Sequence, residues 1–229
     1  MNKIGILTYH SGYNYGACLQ AYALQTTLKK LGYDSEIINF EPEAFVASRE
    51  MFSRKPRRLK EVIKNITRIP YWNPLHAREK MFNDFTLKVL NATPRYKTEA
   101  EVIKHAEDYD CIICGSDQIW NLSKTHDAPA ANPIFFLNFP KKQRRVAYAA
   151  SFASFVKQAP MHEDEFLPWL EQFDAFLWEQ ADGGIATIHQ FLPYTSRVSL
   201  CYRKYSAFYS AGNFIAYKIF FCQAMESPG

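Results

Sequence analysis

Within about its first forty residues the sequence completes a strand, loop, helix, strand unit, and this constrains the fold more than any other feature. Lys3 to Thr8 (KIGILT) is a short apolar run bounded by polar residues, the pattern of a buried parallel strand. A polar loop follows, His10-Ser11-Gly12-Tyr13-Asn14-Tyr15-Gly16. Ala17 to Leu31 then carries Ala21, Leu24, Leu28 and Leu31 at helical spacing, with Gly32 as the stop. Ser35 to Phe40 (SEIINF) reads as the second strand. Two parallel strands joined by a helix form a βαβ unit, whose crossover is expected to be right-handed.

The alternation continues along the chain. Glu41 to Pro74 is less regular, and its centre sets Arg54, Lys55, Arg57, Arg58, Lys60, Lys64 and Arg68 against a single acid, Glu61. Two readings stand: a solvated helical insertion, or a contact with an acidic polymer or anionic lipid, giving peripheral membrane contact through segment 54–68. Ala77 to Leu90 is a second amphipathic helix with Met81, Phe82, Phe85 and Val89 on one face, and Glu99 to Ala106 a third. Tyr109 to Cys114 is another buried strand that runs into Gly115-Ser116-Asp117-Gln118-Ile119-Trp120-Asn121. Cys111 and Cys114, three apart on a strand, face opposite sides of the sheet, which predicts a structural role over metal or redox use. Ile134 to Phe139 is a short strand or a packing segment, Val146 to Ala150 a strand ending at Ser151, and Glu163 to Phe173 helical in pattern. The fold class that follows is α/β, a parallel sheet with flanking helices and no internal repeat.

Composition excludes several classes. At 229 residues with 48% apolar and 22% charged side chains, the chain is neither disordered nor collagen-like. Its opening apolar run is too short for a secretory leader or a membrane span, and five cysteines without a framework fit a reducing cytosol, so a cytoplasmic location is expected. A net charge of +4 supports anionic small molecules only mildly and does not suggest a nucleic-acid partner.

In an open α/β sheet ligands lie outside the carboxyl ends of the strands. Three places qualify here: the first loop, the Gly115 to Asn121 segment, and the turn at Ser151. The first loop leads into a helix N-terminus, where Gly16 allows close approach and Tyr13, Asn14 and Tyr15 can hydrogen-bond or stack on a sugar; the alternative is an ordinary strand-to-helix turn. In the second segment Asp117 can act as a base toward a sugar hydroxyl, positioned by Ser116, Gln118 and Asn121, with Trp120 as an apolar platform. Alternatively Asp117 caps the next turn and Trp120 fills the core. His10 is a candidate acid or donor, or a satisfied polar residue. Neither His126 with Asp127 nor His162 beside Glu163-Asp164-Glu165 gives a metal site, because no pair there falls at helical i, i+4 spacing with a third ligand in prospect.

Four blocks carry more than composition can. Ile4-Gly5-Ile6-Leu7-Thr8-Tyr9-His10, the run from Tyr13-Asn14-Tyr15-Gly16 through Gln20 to Leu24, the Gly115 to Asn121 block, and Ala147-Tyr148-Ala149-Ala150-Ser151-Phe152 together resemble the polysaccharide pyruvyl transferase family. The resemblance covers roughly residues 3 to 175. It implies a Rossmann-like sheet forming the first half of a GT-B-like two-domain architecture. It also implies transfer of a pyruvyl group from phosphoenolpyruvate to hydroxyls of a cell-surface (exopolysaccharide) glycan, giving a ketal, with no cofactor beyond the donor. Such chemistry needs a cationic clamp, an acid and a base. Asp117 and His10 are the candidates for proton transfer; Tyr13, Asn14, Tyr15, Gly16, Gln20, Ser116, Gln118, Trp120, Asn121 and Ser151 are those for substrate contact. Competing readings are a non-catalytic sugar- or anion-binding remnant and a nucleotide-sugar glycosyltransferase.

The pattern breaks after Ala175. Trp178 stands where the family has an arginine, and from Phe191 onward the chain carries ten aromatic residues but a single acid, Glu226. The expectation is a Rossmann-like domain over 1–175 and an atypical aromatic tail over 176–229, from a shifted reading frame or a decayed terminus, leaving the chain without its second catalytic domain.

Overall fold

The computed structural model describes residues 3–11, 13–49, 52, 59–121, 133–140, 142–150, 152 and 168–177, with the backbone alone at 47–49, 116, 117 and 177. The aromatic tail from 178, Gly12, Ser151, the basic residues 54–58, and the stretches holding His126, Asp127 and His162 lie outside the described residues.

Among the described residues five strands, β1 (Lys3–Leu7), β2 (Asp34–Ile37), β3 (Cys111–Asp117), β4 (Arg144–Ala150) and β5 (Ala175–Leu177), form one sheet in the order β2-β1-β3-β4-β5. Every pairing is parallel, as expected of strands buried on both faces. On one face Ile4, Ile6, Ile37, Cys111, Ile113 and Val146 pack with Ala21, Leu24 and Leu28 of α1 (Tyr15–Lys30). On the other, Leu7, Ile112, Cys114 and Ala147 meet Val102 and Ala106 of α5 (Glu99–Ala106) and a cluster of Trp120, Phe135, Phe136, Phe152, Phe173 and Phe176. Burial of the large apolar side chains among these, at about 1.5–3 kcal/mol each, is what holds the layers together.

Local chemistry sets the helix ends. Asn14 Oδ1 accepts the backbone N–H groups of Gly16 and Ala17 at 2.9 and 3.3 Å and starts α1, while Gly32, at φ +89°, ends it. Thr98 and Glu101 form a reciprocal capping box at the start of α5.

The basic insertion is helical, with α2 (Glu43–Arg49), α3 (Leu59–Arg68), a 3₁₀ turn at Ile69–Tyr71 and α4 (Trp72–Lys88). The buried face of α4 differs from the expectation. Phe82 and Thr86 are buried and Phe85 is partly so, whereas Met81 and Val89 are about half exposed. The helix docks along one narrow row, with Phe82 against the rings of Tyr13 and Tyr15 at 5.8 and 4.7 Å and Phe85 against Tyr22 at 6.1 Å. That row leaves the flanking positions in water.

Further departures concern strand limits. β2 stops at Ile37, and Phe40 makes only an isolated bridge to Tyr96; with a second bridge from Ile37 to Ala92, the segment 91–96 runs along the outer side of β2. Ile134 to Phe139 is not a strand: Pro133–Phe136 forms a buried 3₁₀ turn. Of the helix expected over 163–173, residues 168–170 form a single helical turn and 163–167 lie outside the described residues. Most consequentially, β3 continues through Gly115, Ser116 and Asp117, so part of the segment read as a loop belongs to the sheet.

The two strand cysteines do face opposite sides, Cys111 toward α1 and Cys114 toward the aromatic cluster. Burial pushes the Cys111 thiol up to about 12 and raises that of Cys114 as well. Both are therefore expected to resist iodoacetamide at about pH 8.5, where a free thiol is half ionised, and to react once the chain is denatured. Peptide mass spectrometry checks this, and native labelling at the rate of a free thiol contradicts it. Because the folded state holds these protons where the unfolded state releases them, the linked stability falls as pH rises from about 9 toward 12.

Arg145 on β4 is fully buried. Its guanidinium donates to the Phe139 carbonyl and to Gln172 Oε1 and lies 5.0 Å from the Phe139 ring, joining the segment after the 3₁₀ turn to the approach to β5. Burial lowers its pKa, with Asp174 acting in the opposite sense. Arg145→Ala strands the buried Phe139 carbonyl and the part-buried Gln172 Oε1 and opens a cavity, so a loss of about 3–5 kcal/mol is expected in urea unfolding. A loss under about 1 kcal/mol would show that the guanidinium is not what ties these segments together.

Candidate functional site

The strand order reverses between β1 and β3, since β2 lies on one side of β1 and the chain returns on the other. Such a switch point is where open parallel sheets leave a crevice at their carboxyl edge. Leu7 pairs with Cys114, so Thr8 to His10 and Gly115 to Asp117 leave the paired register side by side. Two blocks read separately in the sequence, the Asn14 loop and the Asp117 segment, thus share one edge of the sheet.

Gly115 makes the second of these possible. It sits at φ +124°, and a Cβ there would lie 1.9 Å from the Tyr148 carbonyl oxygen of β4. One residue further along β4, Ala149 has φ +47°, a conformation that costs a non-glycine residue about 1–2 kcal/mol. Both strands leave regular geometry at the same level, next to Asp117, which is paired with Ala150. Backbone strain of this kind gathers where a site must be held in a set shape.

The first loop is tied down from below. His10 is buried, with Nδ1 3.0 Å from the Thr8 carbonyl oxygen and Nε2 3.0 Å from Asn39 Oδ1. With both ring nitrogens engaged inside the core, His10 is the satisfied polar residue and not an exposed acid. Gln20 Nε2 donates to Thr8 Oγ1 at 2.8 Å and to the Tyr9 carbonyl at 2.9 Å, so its amide binds α1 to the end of β1. Asn14 spends its side-chain oxygen on two helix N–H groups, and its carbonyl accepts from Cys18. The Gly16 and Ala17 donors are thus engaged by the cap. Tyr15 and Gly16 are exposed and Tyr13 is partly so.

In the second segment Ile119 and Trp120 turn inward and are completely buried. The Trp120 indole N–H donates to the Phe135 carbonyl at 3.0 Å and its ring stacks on Phe136 at 5.4 Å. Trp120 therefore fills the core and has no open face for a sugar, which corrects the platform role. Gln118 is exposed, Asn121 is partly buried, and the Asn121 N–H closes a turn on the Gln118 carbonyl at 3.1 Å. Ser116 and Asp117 take their places by backbone at the end of β3, and Ser151 lies outside the described residues.

One residue absent from the sequence reading belongs to this edge. Arg78 of α4 donates from Nη2 to the Tyr13 carbonyl at 3.0 Å, and its guanidinium lies 5.7 Å from the Tyr13 ring and 5.8 Å from that of Phe82. It brings a cation to the first loop from a helix 65 residues away. Among the described residues no group of three or more His, Cys, Asp or Glu side chains is placed to hold a metal ion.

The model of the polysaccharide pyruvyl transferase family matches residues 14–177. The chain belongs to this family. The matched span opens at the Asn14 cap and closes at the last residue of β5, so it takes in β2 to β5 and all five helices. No curated protein and no solved structure matches the chain. Membership in the pyruvyl transferase family identifies a transferase and a glycan as its class of substrate. The residues that the family resemblance singled out fall into two groups in the fold. Tyr13, Asn14, Tyr15, Gly16, Gln118 and Asn121 reach the carboxyl edge; His10, Gln20 and Trp120 brace it from within.

Proposed function

We propose that this protein transfers the pyruvyl group of phosphoenolpyruvate to a pair of hydroxyls on a cell-surface glycan precursor in the cytoplasm. The reaction takes place at the carboxyl edge between β1 and β3. The observation that carries the reading is the convergence of two family blocks, the Asn14 loop and the Asp117 segment, on the switch point of a chain matched to the family over 14–177.

A proton adds to the methylene carbon of phosphoenolpyruvate, the first sugar hydroxyl attacks the adjacent carbon and gives up its proton to a base, and the second hydroxyl displaces phosphate from that same carbon. One hydroxyl proton ends on the new methyl group, the other leaves with inorganic phosphate, and the product is a ketal. Asp117 is the base in this reading. Arg78 offers positive charge to the donor's phosphate or carboxylate, and the exposed parts of Tyr13, Asn14, Tyr15 and Gly16, with Ser116, Gln118, Asn121 and Ser151, contact the sugar. The sheet then forms one wall of a GT-B-like cleft over residues 1–175. His10, Gln20 and Trp120 act as positioning residues, because their polar groups are engaged inside the fold.

The test is phosphate release from phosphoenolpyruvate by the purified chain over a panel of glycan acceptors, with folding checked by circular dichroism. Acceptor-dependent release together with a ketal in the product supports the reading. A folded chain that neither releases phosphate nor binds phosphoenolpyruvate in calorimetry counts against it.

A further inference from the structure

An amphipathic helix in a folded domain ordinarily turns its apolar stripe to the core, and α3 does not. Leu59, Val62, Ile63 and Ile66 recur at the helical period and fall within an arc of about 100° at 3.6 residues per turn. No residue of α3 is buried: Leu59 is 75% exposed, Ile66 58% and Ile63 50%. The apolar run continues past the helix with Ile69, Tyr71 and Trp72, all more than half exposed. Beside the stripe Lys60, Lys64 and Arg68 follow one another at intervals of four, against one acid, Glu61. Among the described residues no helix is long and apolar enough to cross a membrane. A short helix with an apolar stripe, a cationic flank and interfacial aromatics has instead the chemistry of a surface that lies in the plane of a bilayer, its apolar side among the acyl chains.

We infer that α3 and the turn after it form a docking surface for an anionic lipid bilayer. The sign of the charge selects this occupant. A second copy of the chain would bring one net positive flank against another, whereas anionic headgroups neutralise Lys60, Lys64 and Arg68 while the stripe leaves water. This inference does not depend on the pyruvyl-transfer reading, so either can fail without the other.

The experiment is flotation of the purified full chain with vesicles of phosphatidylcholine alone and of phosphatidylcholine mixed with phosphatidylglycerol. Binding is expected with the anionic vesicles only, and it should weaken at about 0.5 M salt. Ile63→Asp with Ile66→Asp, and separately Lys60→Glu with Lys64→Glu, should each lower the vesicle-bound fraction at least about tenfold. Because these side chains are not buried, the circular dichroism spectrum should be unchanged. Absence of binding to anionic vesicles overturns the inference, as does binding that survives the isoleucine pair. A concentration-dependent dimer that the isoleucine pair dissolves also overturns it, since a second copy would then be the occupant.

Discussion

Gly115→Ala is expected to leave the chain unable to close β3 against β4. The added Cβ would sit 1.9 Å from the Tyr148 carbonyl oxygen and 2.9 Å from its carbon, and both are backbone atoms that no rotamer change can move. The φ of +124° adds a conformational cost of its own. Relief requires separating the two central strands whose pairing runs from Cys111–Arg144 to Asp117–Ala150. Such a change belongs with the exceptional losses above about 4 kcal/mol, against a domain stability of about 5–15 kcal/mol. Gly32→Ala is the matched control. It too has positive φ, but nothing lies within 4 Å of its Cβ, so it should cost only about 1–2 kcal/mol. Soluble yield and thermal melting compare the two. A Gly115→Ala protein that melts within a few degrees of the parent would mean that the strands can part without loss and that the glycine is incidental.

Asp117→Asn is expected to remove most of the transfer activity. If the carboxylate takes the proton from the attacking hydroxyl, the isosteric amide keeps its shape and loses its basicity, and turnover should fall by roughly 10²–10⁴. The KM for phosphoenolpyruvate should move little, because the donor's charges are met elsewhere. The fold should survive, since Asp117 is held in β3 by backbone pairing with Ala150. Steady-state phosphate release is the measurement. A folded variant that turns over at the parent's rate would take Asp117 out of the chemistry.

The strands and helices were legible where one local signal decided them. The stripe of Ala21, Leu24 and Leu28 and the stop at Gly32 gave α1, and the helix read over Glu99 to Ala106 has the limits observed for α5. Cys111 and Cys114 follow from the two-residue period of a strand alone. What did not show were features created by tertiary contact. Gly115-Ser116-Asp117 reads as a turn by composition, yet a missing side chain lets β4 approach closely enough to keep it in the sheet. Met81 and Val89 have the right period for a buried face, but how wide a stripe α4 buries depends on the tyrosines it meets, and these come from α1 and the loop before it. Arg78 reaches Tyr13 across 65 residues, a pairing with no trace in local spacing. For His10 and Trp120 the sequence offered two roles each, and the choice turned on Asn39 and Phe135, partners that only the packed core brings near.

The segment 91–96 beside β2 has a consequence for self-association. An unpaired edge strand is a template on which another chain can extend the sheet. Here the backbone groups of Ile37 exchange hydrogen bonds with Asn91 and Thr93, and those of Asn39 and Glu41 meet Tyr96. The outward polar groups of that margin are spent within the molecule. A second chain approaching on the β2 side therefore finds the backbone groups of Ile37, Asn39 and Glu41 already paired, and strand-by-strand growth from those positions is blocked.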